Sequence, residues 1–389
     1  MEETSVVYIL FLIFCGAAIL ATLALSLRQS LIIAYIALGL LIGPWGINLI
    51  SDLDLIQNIA DVGIIFLLFL LGLHLHPQQL IRLAGETVLV TGLSSMVILA
   101  LGYGYSLLFG YTTIEALVIG AALMFSSTII GLKLIPTTVL HHQRTGEIII
   151  SILLLQDIIA IFLLLAIEGI ASERAGWMAL GQPLVTLPAL VVAAYLLEKH
   201  FLTRLIARFD RIQEYIFLLA IGWCLGLAEA AELIGLSYEI GAFVAGVSIA
   251  RSPIALFIAE SLKPLRDFFL IIFFVALGAG FNLDLLPDIW LAALGLSLIA
   301  LLLKPLLYRL LMLLSKESAA RSTEVALRLG QMSEFSLLVA VMANELAIIR
   351  DEVSYLIQIS TLVSFVFSSY YIVANYPTPI ALDDKLRRD

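Results

Sequence analysis

Apolar runs long enough to cross a lipid bilayer recur along the whole chain. A transmembrane helix needs about 20 consecutive, predominantly apolar residues, and segments such as 6–27, 87–109 and 145–170 meet that requirement. Of the 389 residues, 62% are hydrophobic and only 13% are charged, whereas soluble domains average roughly half apolar and about a quarter charged. No soluble fold hides that much apolar side chain. The sequence therefore predicts an all-α polytopic membrane protein that is surrounded by the lipid bilayer.

The hydropathy pattern predicts about thirteen spans. They cover approximately 6–27, 30–43, 59–76, 87–109, 114–134, 145–170, 183–198, 212–230, 237–250, 267–281, 286–311, 322–347 and 353–375. Cytoplasmic loops of membrane proteins are enriched in Lys and Arg. With the N-terminus outside, only Arg174 and Arg350 fall outside, while Lys304 and Arg328 lie within spans and the rest of the 21 basic residues fall inside. We therefore expect a protein of the inner (plasma) membrane, with its N-terminus outside and its C-terminus in the cytoplasm.

Two pairs of segments resemble each other at an offset of seven spans. "AYIALGLLIGP" (34–44) is similar to "GAFVAGVSIARSP" (241–253), and "IIFLLFLLGLHLHP" (64–77) is similar to "LIIFFVALGAGFNL" (270–283). Because seven is odd, the two halves must lie upside down relative to each other. We predict a membrane transport domain over the whole chain, with a first repeat at about 6–170, a linker span at about 183–198, a second repeat at about 212–375 and a short cytoplasmic tail at 376–389. Inverted repeats are typical of secondary transporters.

An acidic residue, Asp157, lies near the middle of the sixth span. An aspartate at the bilayer centre costs about 2.5–3.5 kcal/mol even on a lenient insertion scale, so an ionisable residue there indicates a functional site. The other interpretation is a structural carboxylate that is paired with a neighbouring helix. Gln156 beside it offers a carbonyl oxygen and two N–H donors without adding charge.

Polar residues interrupt the fifth and twelfth spans at matching positions. The interruptions comprise Ser126, Ser127 and Thr128 in the first half, and Gly330, Gln331, Ser333 and Glu334 in the second. Matching interruptions in two halves are the best sequence pointer to a transporter's binding site, although ordinary polar packing between helices gives a similar pattern. Lys304 lies inside the eleventh span, and we expect it to face the site rather than to extend toward the inner interface.

A single buried carboxylate predicts an exchange mechanism. A proton or a small monovalent cation at Asp157 makes the site neutral, whereas the empty site carries a charge of −1 that a low-dielectric barrier disfavours. The loaded forms cross and the empty form does not, which gives obligatory, electroneutral exchange. We expect Ser126, Ser127, Thr128 and Gln156 to bind the ion with Asp157, and Lys304, Gln331, Ser333 and Glu334 to support the site. No cofactor is expected beyond the transported K⁺ or Na⁺ and H⁺.

At "LLLQDIIAI" (153–161) the sequence resembles the Kef-type potassium/proton antiporters of monovalent cation:proton antiporter family 2. The resemblance covers nearly all of residues 6–375, with further anchors in "AYIALGLLIGPWGI", "SSTII", "IGAFVAGVSIARSP" and "GQMSEFSLL". It implies a sodium/proton antiporter-like fold, in which the fifth and twelfth spans are broken helices that cross. It also implies a homodimer whose six-helix core domain moves like an elevator. Gln156 and Asp157 then form the potassium type of ion-binding pair, which Lys304 contacts.

The chain departs from the Kef-type pattern at its C-terminus. Kef-type systems continue into a cytoplasmic nucleotide-binding domain, whereas this sequence stops at "PTPIALDDKLRRD" without a glycine-rich fingerprint. We therefore expect either a missing regulatory domain or a separate cytoplasmic regulatory subunit.

Several other functions are compatible with parts of the sequence. A sodium/proton antiporter is the nearest alternative, and a cation channel or an organic-anion symporter fits less well. An enzyme is not expected, because the sequence has neither a His-Glu-x-x-His nor a Gly-x-Ser-x-Gly motif. Nucleic-acid binding is not expected either, because no basic stripe with interleaved aromatic residues is present.

Overall fold

The computed structural model of the chain describes residues 6–27, 29–50, 53–74, 86–128, 144–171, 177–209, 212–252 and 254–378. The regular elements in these ranges are helices. In chain order they are α1 (Val6–Ser26), α2 (Leu31–Ile42), α3 (Leu53–His74), α4 (Glu86–Leu108), α5 (Thr113–Met124), α6 (Arg144–Ala171), α7 (Trp177–Leu197), α8 (Thr203–Phe209), α9 (Gln213–Leu233), α10 (Tyr238–Ile249), α11 (Ala255–Ala279), α12 (Leu286–Leu298), α13 (Lys304–Leu314), α14 (Ala319–Arg328), α15 (Glu334–Glu345) and α16 (Asp351–Asn375). Single π-helical turns, Glu198–Leu202 and Ile299–Leu303, join α7 to α8 and α12 to α13.

The helices of the described ranges agree with the predicted all-α, polytopic fold. Eight helical segments are long and apolar enough to cross a membrane, and the shorter helices α2, α5 and α10 are also apolar. The remaining two predicted spans correspond to α11 and to the pair α14 and α15. The helix count therefore agrees roughly with the predicted thirteen spans.

The fifth and twelfth predicted spans are both interrupted. Helix α5 ends at Met124, because Phe125 adopts an extended backbone with φ −74° and ψ 146°. Helix α14 ends at Arg328, and α15 begins only after Ser333, which caps it by accepting a hydrogen bond from the Phe335 N–H. The part of the fifth span beyond Thr128 lies outside the described residues.

The described residues form two compact units, each built from separated stretches of the chain. The first lies within Met1–Ala17, Tyr35–Leu80 and Glu168–Gly280, and the second within Ala18–Ala34, Ile81–Ile167 and Phe281–Asp389. The second unit contains α4 to α6 and α12 to α16 and therefore all the residues that the sequence predicts for the site. The boundaries of the two repeats and of the linker span remain a prediction.

Glycines bring helices of the first unit into backbone contact. A Cβ added at Gly39 would lie 2.1 Å from the Val275 carbonyl oxygen, so α2 and α11 touch there. A Cβ added at Gly246 would lie 2.1 Å from the Phe69 carbonyl oxygen, so α10 and α3 touch in the same way. These contacts join the second span to the tenth and the ninth to the third. At the predicted offset of seven spans, the second span corresponds to the ninth and the third to the tenth. The two contacts are therefore equivalent, as expected for two repeats related by a twofold axis.

Candidate functional site

Hydrogen bonds join the two interrupted spans directly. The Ser126 hydroxyl, just past the end of α5, donates to the Leu329 carbonyl oxygen at 2.8 Å. The Ser336 hydroxyl in the first turn of α15 donates to the Ala122 carbonyl oxygen at 2.6 Å. Because each hydroxyl satisfies a carbonyl near the end of the other broken helix, the interruptions lie side by side in the core of the second unit.

The Lys304 ammonium group binds backbone carbonyls of both interrupted spans. Its Nζ donates to the carbonyl oxygens of Leu123 at 3.2 Å, Phe125 at 2.6 Å and Gln331 at 3.0 Å, and the side chain is fully buried. The last carbonyls of a helix lack partners in their own helix and carry partial negative charge. The lysine thus supplies both the hydrogen bonds and the positive charge that the end of α5 requires. Among the described residues it has no ion pair with Asp157.

The Gln156 side chain on α6 holds the end of α5. Its Oε1 accepts a hydrogen bond from the Ser126 N–H at 3.0 Å, while its Nε2 donates to the Met124 carbonyl oxygen at 2.9 Å and to the Tyr308 hydroxyl at 2.8 Å. Both N–H donors of the carboxamide are therefore used. Gln156 and Tyr308 are 1% and 0% exposed, so water does not compete for these bonds.

The Asp157 carboxylate differs from this network, because no hydrogen bond or ion pair reaches it from any described residue. The residue is only 4% exposed. Consecutive helical positions point in directions about 100° apart, so Asp157 points in a different direction from Gln156. Glu334, on the first turn of α15, is close enough to interact with Asp157 electrostatically. A buried carboxylate without hydrogen bonds is unstable as an anion, and a bound proton or cation removes that instability.

Five charged side chains are buried among the described residues, and all lie in the second unit: Glu115, Asp157, Lys304, Arg328 and Glu334. Glu115 pairs with Arg350 at 2.7 Å, and Arg328 pairs with Glu324 at 3.0 Å, so these two charges are compensated. The other three comprise one cation and two carboxylates, whose formal charges sum to −1. One monovalent cation or one proton brings that sum to zero.

The predicted site residues all lie in the second unit, but in different surroundings. Hydrogen bonds at the two interruptions link Ser126, Gln156, Lys304 and Gln331. The interaction between Asp157 and Glu334 is electrostatic. Gln331 donates to the Arg328 carbonyl oxygen at 2.9 Å and accepts from the Ser368 hydroxyl at 3.0 Å. Ser127 is fully buried, and the Thr128 hydroxyl is buried without a hydrogen-bond partner in the described part of the chain.

Sequence reasoning did not select Tyr308, although its hydroxyl contacts Gln156. The residue lies four positions after Lys304 in "KPLLYRL", and residues four apart share a helix face. That spacing could have indicated it, since Lys304 was already expected to face the site.

An all-helical membrane fold with two interrupted spans and a buried carboxylate is typical of secondary transporters. The family model described as sodium/hydrogen exchanger, transmembrane, matches residues 9–373. The chain therefore belongs to the sodium/hydrogen exchanger family, whose class is the monovalent cation:proton antiporters.

Solved structures support the same fold. The structure of the sodium proton antiporter MjNhaP1 from Methanocaldococcus jannaschii at pH 8 gives a TM-score of 0.73 at 19% identity, covering 96% of this chain and 97% of that one. A three-dimensional electron-microscopy structure of the same antiporter gives a TM-score of 0.69 at 19% identity, covering 98% of each chain. The predicted sodium/proton antiporter-like fold is thus confirmed.

Proposed function

We propose that this protein is an electroneutral antiporter in which a monovalent cation and a proton compete for the Asp157 carboxylate. The observation that carries the proposal is the burial of that carboxylate, which has no hydrogen bond from the described residues. In the occupied states, a proton or a cation satisfies the oxygens that the protein leaves unsatisfied. The empty state has no such compensation, so crossing the barrier requires one of the two ligands.

The formal charges of the site support a one-for-one exchange. The formal charges of the buried Lys304, Glu334 and Asp157 side chains sum to −1. Replacing one cation by one proton leaves that balance unchanged, so a full cycle moves no net charge across the membrane. Ser127 and Thr128, at the first interruption, supply further oxygen atoms, which are the ligands that hard monovalent cations prefer.

Two cations are candidates for the transported ion. The Gln156–Asp157 pair resembles the potassium type, which favours K⁺. The family match and the similar fold of a sodium proton antiporter support Na⁺ at least as well. We propose K⁺ as the substrate to test first and Na⁺ as the second.

The proposal extends to the molecular setting of the exchange. We propose a homodimer in the inner (plasma) membrane, with the N-terminus outside, the C-terminus in the cytoplasm and an elevator-like movement of the six-helix core. We also propose that the protein needs no cofactor and is not an enzyme. The positive-inside pattern supports the orientation.

Proton movement in proteoliposomes tests the function. An imposed pH gradient is expected to dissipate on addition of K⁺ or Na⁺, and Asp157→Asn should abolish the response because asparagine neither releases a proton nor carries charge. Asp61→Asn, which changes an aspartate of α3 in the other unit, is the matched control and should retain exchange. Exchange that persists in Asp157→Asn would refute the assignment, and the cation that responds at the lowest concentration identifies the preferred ion.

A further inference from the structure

We propose that Tyr308 is a positioning residue of the transport site. Its hydroxyl fixes the Gln156 carboxamide against the end of α5, so that Gln156 acts as a structural clamp and Asp157 alone of the pair binds the ion. This inference rests on the proposed antiport function and changes the predicted role of Gln156 from ion ligand to support.

One hydroxyl group connects three segments of the first half of the chain to α13. Tyr308 is fully buried, and its hydroxyl accepts a hydrogen bond from Gln156 Nε2 at 2.8 Å. The Ser94 and Ser126 side chains lie near the same hydroxyl. Ser94 belongs to α4, Ser126 to the interruption after α5 and Gln156 to α6. The tyrosine thus bonds directly to α6 and lies beside the other two segments.

The partners of Gln156 determine which way its carboxamide faces. The Met124 carbonyl oxygen only accepts and the Ser126 N–H only donates, so a reversed amide would oppose oxygen to oxygen and N–H to N–H. Turning Oε1 toward a transported ion would break the bond from Ser126 and leave buried donors of Gln156 unpaired, which is unfavourable. The carboxamide is therefore held in its supporting role.

The clamp also explains how a residue outside the ion's coordination affects ion binding. Residues 126–128 follow directly from the end of α5 that Gln156 holds, and Asp157 follows Gln156 on α6. Loss of one hydrogen bond in the clamp loosens the spacing between these two groups of oxygen atoms. Cation binding requires the correct spacing between these oxygen atoms, whereas movement of the loaded site across the barrier does not. Loss of the hydrogen bond should therefore lower the apparent affinity for the cation.

Tyr308→Phe tests the inference in proteoliposomes. The KM for the cation is expected to rise roughly three- to tenfold, the range that loss of one buried hydrogen bond implies, while kcat stays within about twofold. Tyr105→Phe is the matched control, because it removes a tyrosine hydroxyl that donates to the Ala292 carbonyl oxygen at 3.0 Å in the same unit. Its KM should equal that of the wild type. A purely structural role for Tyr308 would reduce the amount of active protein and leave KM unchanged.

A double-mutant cycle with Gln156→Leu provides a second readout. If Tyr308 acts through Gln156, the double variant has the same KM as Gln156→Leu alone; effects that multiply would overturn the clamp.

Ser94→Ala leaves both clamp residues in place and replaces Tyr308→Phe as the test if that variant does not fold. The Ser94→Ala variant should also have a raised KM for the cation, and a KM equal to that of the wild type would count against the inference. If the wild-type protein showed no exchange that depends on Asp157, the proposed function itself would be refuted. The failure of the clamp and the failure of the function are therefore distinguishable.

Discussion

Lys304 is a buried cation whose partners are three backbone carbonyls rather than an acidic side chain. Removal of its ammonium group leaves those carbonyls without a donor, and each buried, unsatisfied polar group costs about 1–3 kcal/mol. Lys304→Met keeps much of the apolar stem and should lower the free energy of unfolding by roughly 2 kcal/mol or more. Lys263→Met is the control, since its side chain is 55% exposed and, within the described part of the chain, pairs only with Glu260 at 3.8 Å. Thermal unfolding of the purified variants measures the difference, and equal stabilities would contradict it.

The buried polar residues of the candidate site were predictable where they interrupt apolar runs, while their role in transport remains a prediction. Asp157, Gln156 and Lys304 interrupt apolar runs, so the sequence marks them as exceptional. Their partners were not predictable, because Lys304 binds carbonyls and carbonyls carry no sequence signature. The contact between Tyr308 and Gln156 joins residues 152 positions apart, and only the folded arrangement of α6 and α13 reveals it.

The interruptions themselves were predictable as elements, because polar residues in the middle of an apolar span compete with regular helix formation. The π-helical turn Ile299–Leu303 was not, since the sequence shows one continuous apolar span at 286–311. Pro305 follows this turn and lacks a backbone N–H, which disturbs the α-helical hydrogen-bond pattern just before it. The turn changes the direction in which later residues point, so it contributes to the inward position of Lys304 and Tyr308.

A charged cluster outside the membrane spans links α6 to α14. The Glu317 carboxylate accepts hydrogen bonds from Arg144, the first residue of α6, and from Arg321 of α14. Burial alone would raise the pKa of Glu317, but the hydrogen bonds from Arg321 and Arg144 outweigh burial and lower that pKa below its usual value of 4.5. A lowered pKa in the folded state stabilises the fold above the unfolded-state pKa, and this stabilisation is lost as the pH falls through the folded-state pKa.

Glu317→Gln should therefore destabilise the protein at neutral pH and much less in acid. We expect a deficit of roughly 0.5–1 kcal/mol near pH 7, the scale of a well-formed ion pair, which shrinks as the pH is lowered below about 4. Unfolding temperatures of the variant and the wild type across this pH range provide the measurement. Glu260→Gln changes a glutamate whose side chain is 64% exposed, and its stability should follow the wild type at every pH. A deficit for Glu317→Gln that stays constant would show that the carboxylate charge is not responsible.

At the scale of the whole molecule, the sequence predicted the class of protein better than its division into units. Apolar runs and weak repeats carry the information on membrane spans, so the polytopic fold followed from them. The two compact units, however, each combine stretches from both halves of the chain. Contacts such as that of Gly39 with Val275 create this arrangement. No local sequence pattern predicts which helix a given glycine contacts.

The charge of the whole transport cycle depends on the charges of the site, and Gln156→Asp changes them by one. The proposed exchange of one cation for one proton moves no net charge, so the wild type should not respond to membrane voltage. A second carboxylate beside Asp157 provides an additional proton site, and two protons exchanged for one cation move one charge per cycle. The variant should also be slower, because aspartate cannot donate to the Met124 carbonyl oxygen.

Exchange rates at different imposed potentials distinguish these cases. An inside-negative potential should change the rate of Gln156→Asp and leave the wild type and the neutral control Gln156→Asn unaffected. The control matters because asparagine, like aspartate, is too short to preserve the clamp but adds no charge. A voltage response shared by both variants would assign the effect to the disturbed clamp, and no response in either would contradict the charge balance of Asp157, Glu334 and Lys304. Only a response confined to the aspartate supports the conclusion that the neutral Gln156 is what makes the exchange electroneutral.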